Sequence, residues 1–150
     1  MTLDKRPLNL SEDEIKDLLF NCFRAIYKFE QDKVKCFELN YDAIFLLQFL
    51  RRQSPSTMGD ISREMQVPVS TATRVVDRLA SRGMVSRKKT AKDKRIVQVS
   101  LDARGENLVK AVEDHSSDII LKNLSTLTHE QIKAVLTTAR LMDGLLHIPE

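Results

Sequence analysis

The stretch Pro68-Val69-Ser70-Thr71-Ala72-Thr73-Arg74-Val75-Val76-Asp77-Arg78-Leu79-Ala80-Ser81-Arg82-Gly83 decides how this chain folds. Val69, Ala72, Val75, Val76 and Leu79 recur at the three-and-four spacing that gathers side chains on one face of a helix. Ser70, Thr71, Thr73, Arg74, Asp77 and Arg78 fall on the opposite face. A helix is predicted up to Arg82, with Pro68 at its first position, where a missing N–H costs nothing. Gly83 supplies the stop.

Immediately before it, Gln66-Val67-Pro68 reads as a tight break, because Pro68 pushes Val67 out of the α region. Before that break, Thr57-Met58-Gly59-Asp60-Ile61 starts a short helix. Thr57 is its cap, Asp60 suits its positive N-terminal end, and Ile61 and Met65 point inward. Two short helices joined by so brief a turn match the helix-turn-helix pattern.

After Gly83 the apolar period changes to two. Val85-Ser86-Arg87-Lys88-Lys89 and Ile96-Val97-Gln98-Val99-Ser100-Leu101 alternate, with Val97, Val99 and Leu101 on a shared face. Thr90-Ala91-Lys92-Asp93-Lys94 joins them, so a two-stranded hairpin with a basic tip, a wing, is expected.

The flanks read as long helices. Ser11 with Glu14 forms a capping box, with Leu10 and Ile15 as the staple, and Ile15, Leu18, Leu19, Cys22, Ile26 and Tyr27 make an apolar stripe to about Lys33. Asn40 caps a second helix whose Ala43, Ile44, Leu46, Leu47 and Leu50 belong in the core, and Ser54-Pro55-Ser56 ends it. Asp102 caps a fifth helix carrying Leu108, Val112, Ile119, Ile120 and Leu124. Leu127-Thr128-His129-Glu130-Gln131-Ile132 repeats the capping-box signature and opens a sixth, with Val135, Leu136, Ala139, Leu141, Met142, Leu145 and Leu146.

The expected architecture is mainly α with a minor α+β element: a winged helix-turn-helix between long N- and C-terminal dimerisation helices. Residues 1–150 are taken as one domain, with a lobe at about 40–101 and dimerisation helices at about 10–35 and 102–147. The terminal helices carry more apolar surface than so small a domain needs for itself. Leu10, Ile15, Leu18, Ile120, Leu124, Ile132, Leu136 and Leu145 are therefore expected to bury against a second copy in a homodimer.

Composition sets outer bounds. With 42% hydrophobic and 30% charged residues and only four Gly and four Pro, the chain suits a helical globular protein. No apolar run approaches a membrane span, and no apolar segment follows Met1-Thr2-Leu3-Asp4-Lys5-Arg6 as a secretion signal requires. Cys22 and Cys36 are too few for a disulfide framework, so a cytoplasmic setting is expected. The net charge of +3 is small, but its distribution is not even. Between Arg63 and Arg104 stand eleven basic and four acidic residues, while the remainder of the chain is net acidic. A basic middle between acidic flanks is the footprint of a polyanion-binding segment.

At this point the sequence resembles the multiple-antibiotic-resistance regulator (MarR) family over nearly its whole length. The resemblance rests on Val75-Val76-Asp77-Arg78-Leu79-Ala80-Ser81-Arg82-Gly83-Met84-Val85-Ser86-Arg87, then Asp93-Lys94-Arg95, then Val99-Ser100-Leu101-Asp102-Ala103-Arg104-Gly105. These match the family's Leu-x-x-x-Gly-x-Val/Ile helix end, its Asp-x-Arg at the wing and its Leu-Thr-x-x-Gly helix start. Asp102 replaces the usual Thr, and Pro68 stands where a capping Ser is common.

The resemblance implies a transcription regulator that binds double-stranded DNA, with no catalytic residues, cofactor or metal. The residue chemistry agrees, since a helix with small hydroxyls and arginines outside suits a major groove. Ser70, Thr71, Thr73 and Arg74 would approach base edges or nearby phosphates, with Arg78 and Arg82 on phosphates. At the wing the resemblance places Arg95 in the minor groove or orienting the tip, with Asp93 pairing a basic group to hold the loop's shape. Lys88, Lys89, Lys92 and Lys94 would add sequence-independent attraction to phosphates. A dimer predicts a pseudo-palindromic operator, and the resemblance also implies repression relieved by a small aromatic acid. Phe20, Phe23, Arg24, Phe45 and Phe49 are candidates for its walls and cation, with a core role the preferred reading for them.

His115, His129 and His147 show no metal-ligand spacing, and Cys22 reads as a small core residue, with Cys36 more exposed. The cysteine by which one branch of the family senses peroxides falls near Lys16 here, which disfavours a redox sensor. A winged-helix protein-interaction module without DNA binding is the alternative from another class.

Overall fold

The structure is a computed structural model that describes residues 10–148. Helix α1 (Glu12–Phe37) is followed by α2 (Tyr41–Arg52), strand β1 (Ser56–Thr57), α3 (Met58–Glu64), α4 (Val69–Ser81), β2 (Val85–Lys89), β3 (Val97–Leu101), α5 (Ala103–Leu124) and α6 (His129–Leu145). The mainly helical class with a small sheet is as expected. Packing divides the chain into two compact units, one ending at Val112 and one starting at Glu113.

The helix starts follow local chemistry. In α1 the Glu14 N–H donates to the Ser11 hydroxyl while the Ser11 N–H donates to the Glu14 carboxylate, a closed capping box. These bonds hold the Glu14 carboxyl below its usual pKa, the Ser11 N–H contributing most. Asn40 caps α2 by accepting from the Ala43 N–H at 3.0 Å. In α3 the box is closed by aspartate: the Asp60 carboxylate accepts from the Thr57 hydroxyl at 2.7 Å and the Thr57 N–H at 3.1 Å. Thr128 and Gln131 close the same motif on α6.

In the first unit α2 lies at the centre of the core. Its Ala43, Ile44, Leu46, Leu47 and Leu50 are all buried, as expected, against Ile61, Val75, Val76, Leu79, Val99 and Val109. The sheet order is β1-β3-β2, all antiparallel, with Val85 opposite Leu101 and Lys89 opposite Val97. In the second unit, α6 buries none of its residues. Ile120, Leu121, Val135, Leu136, Leu141, Leu145 and Leu146 are all exposed.

Several expectations need correction. The wing sheet has three strands rather than two, because Ser56 and Thr57 pair with Val99 and Gln98. Helix α1 runs to Phe37 instead of about Lys33, since Val34 and Phe37 still pack on the core. It stops only where Glu38 turns left-handed at φ 52°. The stripe of Ile15, Leu18, Leu19, Cys22, Ile26 and Tyr27 is exposed within this chain, so Cys22 is not a core residue. Phe20 and Phe23 are exposed as well, against the preference for a core role. Val69 lies at the outer edge of α4 and is 51% exposed. Pro68 is the capping residue before α4 rather than its first member. It offers no side-chain cap, and its carbonyl accepts from the Thr71 and Ala72 N–H groups.

Candidate nucleic-acid interface

Helix α4 turns its apolar residues inward and leaves a polar surface outside. Ala72, Val76 and Leu79 are fully buried and Val75 nearly so, while Ser70, Arg74, Asp77 and Arg78 are exposed. Arg74 and Arg78 are four residues apart, one turn, so both guanidinium groups leave the same side of the helix. Thr71 and Thr73 are only half-exposed. The Thr73 hydroxyl already donates to the Val69 carbonyl at 2.7 Å, which leaves it free chiefly to accept. Arg82 follows as the helix C-cap and is half-buried.

The turn before α4 is held by hydrogen bonds and by the packing of Met65 and Val67 on the core. Gln66 takes the left-handed conformation at φ 52°, and the Val67 N–H donates to the Ser62 carbonyl. The Ser62 hydroxyl donates back to the Val67 carbonyl at 2.6 Å.

The β2–β3 hairpin exposes Lys88, Lys89, Lys92, Lys94 and Arg95. Its tip is stiffened by hydrogen bonds around Asp93, among them the Ile96 N–H donating to the Asp93 carbonyl at 3.0 Å. The Asp93 N–H donates to the Thr90 hydroxyl, that hydroxyl donates to the Asp93 carbonyl at 2.6 Å, and the Asp93 carboxylate accepts from the Arg95 N–H at 2.8 Å. Where the resemblance implied that Asp93 pairs with a basic group, its carboxylate instead bonds the Arg95 backbone N–H. The Arg95 guanidinium is left outward and exposed. Beside it, Arg95, Ile96 and Val97 face Thr57, Met58 and Gly59 across an open concavity.

One linkage was not legible in the sequence. Strand alternation puts Arg87 on the same face as Val85, opposite the buried Val99. From there its guanidinium reaches the Asp77 carboxylate at 2.6 Å and the Thr73 carbonyl at 3.4 Å. The available signal was the two-residue spacing from Val85. The partner, ten residues back on α4, follows only from the fold. With the two side chains 33% and 55% exposed, such a pair contributes about 0–1 kcal/mol to stability.

The residues expected at a dimer interface are placed as follows. Ile15, Leu18, Ile120, Leu136 and Leu145 are exposed, with Leu18 at 58% and Leu145 at 68%. Leu10, Leu124 and Ile132 are half-buried. Of the candidate effector residues, Arg24 donates to Asn21 on its own helix, and Phe45 and Phe49 are half-buried on α2. Among the described residues no helix is long and apolar enough to cross a membrane.

Known proteins share this fold. The MarR family model matches residues 39–97. The HTH-type transcriptional repressor MdtR of Bacillus subtilis is 29% identical over 99 residues, covering 65% of this chain. The matched part spans 64% of MdtR's own length, just under two thirds. Among solved structures, a MarR family protein from Bacillus stearothermophilus superposes with a TM-score of 0.78 at 22% identity, covering 89% of this chain and 94% of that one. A mutant of S. aureus MepR bound to an oligodeoxyribonucleotide superposes with a TM-score of 0.65 at 18% identity, covering 89% of this chain and 98% of that one. By matched segment, named relatives and shared fold together, this chain resembles the MarR family, over residues 39–97 in sequence and over most of its length in fold.

Proposed function

We propose that this protein is a sequence-specific, double-stranded-DNA-binding transcription regulator, with no catalytic activity, acting in the cytoplasm as a homodimer. The observation that carries this is the joint presentation of Ser70, Arg74 and Arg78 on α4 beside the exposed lysines and Arg95 of the hairpin. A polar helix surface of this width fits a major groove, and an arginine at the tip of a stiff hairpin suits the negative potential of a narrow minor groove. In this reading Thr71 and Thr73 line the groove edge, Arg74 reads a base, and Lys88, Lys89, Lys92 and Lys94 bind phosphate. Asp93 keeps Arg95 aimed.

The dimer is supported by the exposed apolar residues of α1 and α6, which a lone chain would leave in water. Leu10, Ile15, Leu18, Ile120, Leu124, Ile132, Leu136 and Leu145 are assigned to that interface, with the chain acting as a single domain. Two copies of α4 about one DNA turn apart then predict a pseudo-palindromic operator. Repression, rather than activation, is favoured by the name of the relative MdtR. Release by a small aromatic acid is the last part of the proposal. Its support is the pair of aromatic side chains Phe20 and Phe23, exposed beside Arg24 on α1.

The test is selection of bound duplexes from a random pool by the full chain. Enrichment of a pseudo-palindrome supports the reading. No retained duplex even at low salt contradicts it and favours a protein-interaction module.

A further inference from the structure

We propose that Val69 reads the C5-methyl group of a thymine in the operator, adding an apolar specificity contact to the polar face of α4. This rests on the DNA-binding reading and names one feature of the sequence it selects.

Val69 shares a line on α4 with Ala72 and Val76, three and seven residues on, and both of those are fully buried. Val69 itself is 51% exposed. As the first residue of the helix it stands about one turn beyond Ala72, the first residue of α4 that the core covers. Val67, two residues earlier, still packs on the core, and the exposed Pro68 separates the two. Val69 is thus the large apolar side chain of α4 that the fold leaves in water.

Single apolar side chains are common on protein surfaces, so the position of this one decides its reading. Ser70 follows it directly and Arg74 lies five residues on, both exposed on the surface assigned to DNA. No acid lies in the first turn of α4, so no carboxylate there opposes the approach of a phosphate backbone. One turn along, the Thr73 hydroxyl donates to the Val69 carbonyl at 2.7 Å, which takes the nearest side-chain proton away from any base acceptor. A flank with a branched hydrocarbon and no spare hydroxyl proton is a poor match for guanine, whose major-groove edge carries two acceptors, N7 and O6. It matches thymine, the base that presents a methyl group in that groove. On contact both hydrocarbon groups leave water, which favours thymine over a base without the methyl.

The experiment is fluorescence-anisotropy binding of the full chain to the duplex it selects, with each thymine in turn replaced by deoxyuridine. That change removes the methyl group and keeps the base pair. Wild type is compared with Val69→Ala and Val69→Thr, and thermal midpoints measured in parallel show that each variant is folded. At one thymine of the half-site, uracil should weaken wild-type binding about fourfold, the worth of one buried methyl group. Val69→Ala should bind thymine and uracil duplexes alike, at the level of wild type on uracil, because the two changes remove one contact. Val69→Thr, which keeps one methyl group, should lose part of the discrimination. Three results overturn the assignment while leaving DNA binding intact: uracil without effect at every thymine, a selected half-site that lacks thymine, or an undiminished uracil penalty in Val69→Ala. A wild type that retains no duplex overturns the DNA-binding reading, and the role of Val69 with it.

Discussion

Gly105 packs so closely on Met84 that a Cβ at position 105 would stand 2.0 Å from the Met84 carbonyl oxygen. The same oxygen accepts the Asp102 N–H at 2.9 Å, so the first turn of α5 is pinned to the residue that leads into β2. The glycine in the motif near the start of α5 thus has a direct physical reason, a close approach of two backbones.

Replacing Gly105 by Ala forces backbone apart, and we expect a loss of about 2–4 kcal/mol in urea unfolding. Gly83 provides the contrast. Its φ is +68°, but no atom lies within 4 Å of where its Cβ would stand, so Gly83→Ala carries conformational strain alone. About 1 kcal/mol is expected there. Equal losses at the two positions would contradict the close-approach account.

Gln66 occupies the left-handed region at φ 52° in the turn that precedes α4. Gln66→Gly relieves that strain, partly offset by the freedom glycine gains when unfolded, and a net gain of up to about 1 kcal/mol is expected. A shifted urea midpoint with unchanged slope is the check. Loss of stability would mean that the Gln66 side chain makes contacts outweighing the strain.

The capping carboxylates predict an acid limb. Asp60 is held below its usual pKa, chiefly by the Thr57 hydroxyl, and Glu14 chiefly by the Ser11 N–H. A depressed native pKa means the unfolded chain binds protons first, so these groups stabilise the fold at neutral pH. That stability is lost as pH falls below the usual carboxylate range and through the lowered native values. Asp60→Asn should flatten the acid side of a stability-against-pH curve. A curve identical to wild type below about pH 5 would show that the cap carries no linkage.

Self-association is the next expectation. Sedimentation should give twice the monomer mass at micromolar concentration. Leu18→Asp with Leu136→Asp should shift it to one chain while helical circular dichroism persists. A wild-type monomer at all concentrations would remove the assigned interface.

Much of the fold is legible because its signals are local. Ser11, Asn40, Thr57 and Thr128 sit where their side chains meet N–H groups three residues on, and each cap is as expected. The buried face of α2 is equally plain, since Ile44, Leu46, Leu47 and Leu50 leave no other choice. Strand β1 is not legible, because two residues show no period. Cys22 and Val69 mislead for another reason: apolar residues at helical spacing mark a face but do not say what covers it. At the candidate site, composition points to Arg74, Arg78 and the hairpin lysines. The engagement of the Thr73 hydroxyl, the backbone partner of Asp93 and the Asp77–Arg87 pair depend on geometry that spacing does not carry.

The measurement that most directly tests the central claim is anisotropy binding of the full chain to its selected duplex at two salt concentrations, beside Arg74→Ala and Arg95→Ala. The account predicts binding that weakens steeply with salt, with a loss of about 1–3 kcal/mol for Arg74→Ala concentrated on the preferred sequence. Arg95→Ala should weaken binding and depend on the width of the minor groove at the site. Salt-insensitive binding, or full affinity in both variants, would contradict the assignment of α4 and the hairpin as the DNA-reading surface.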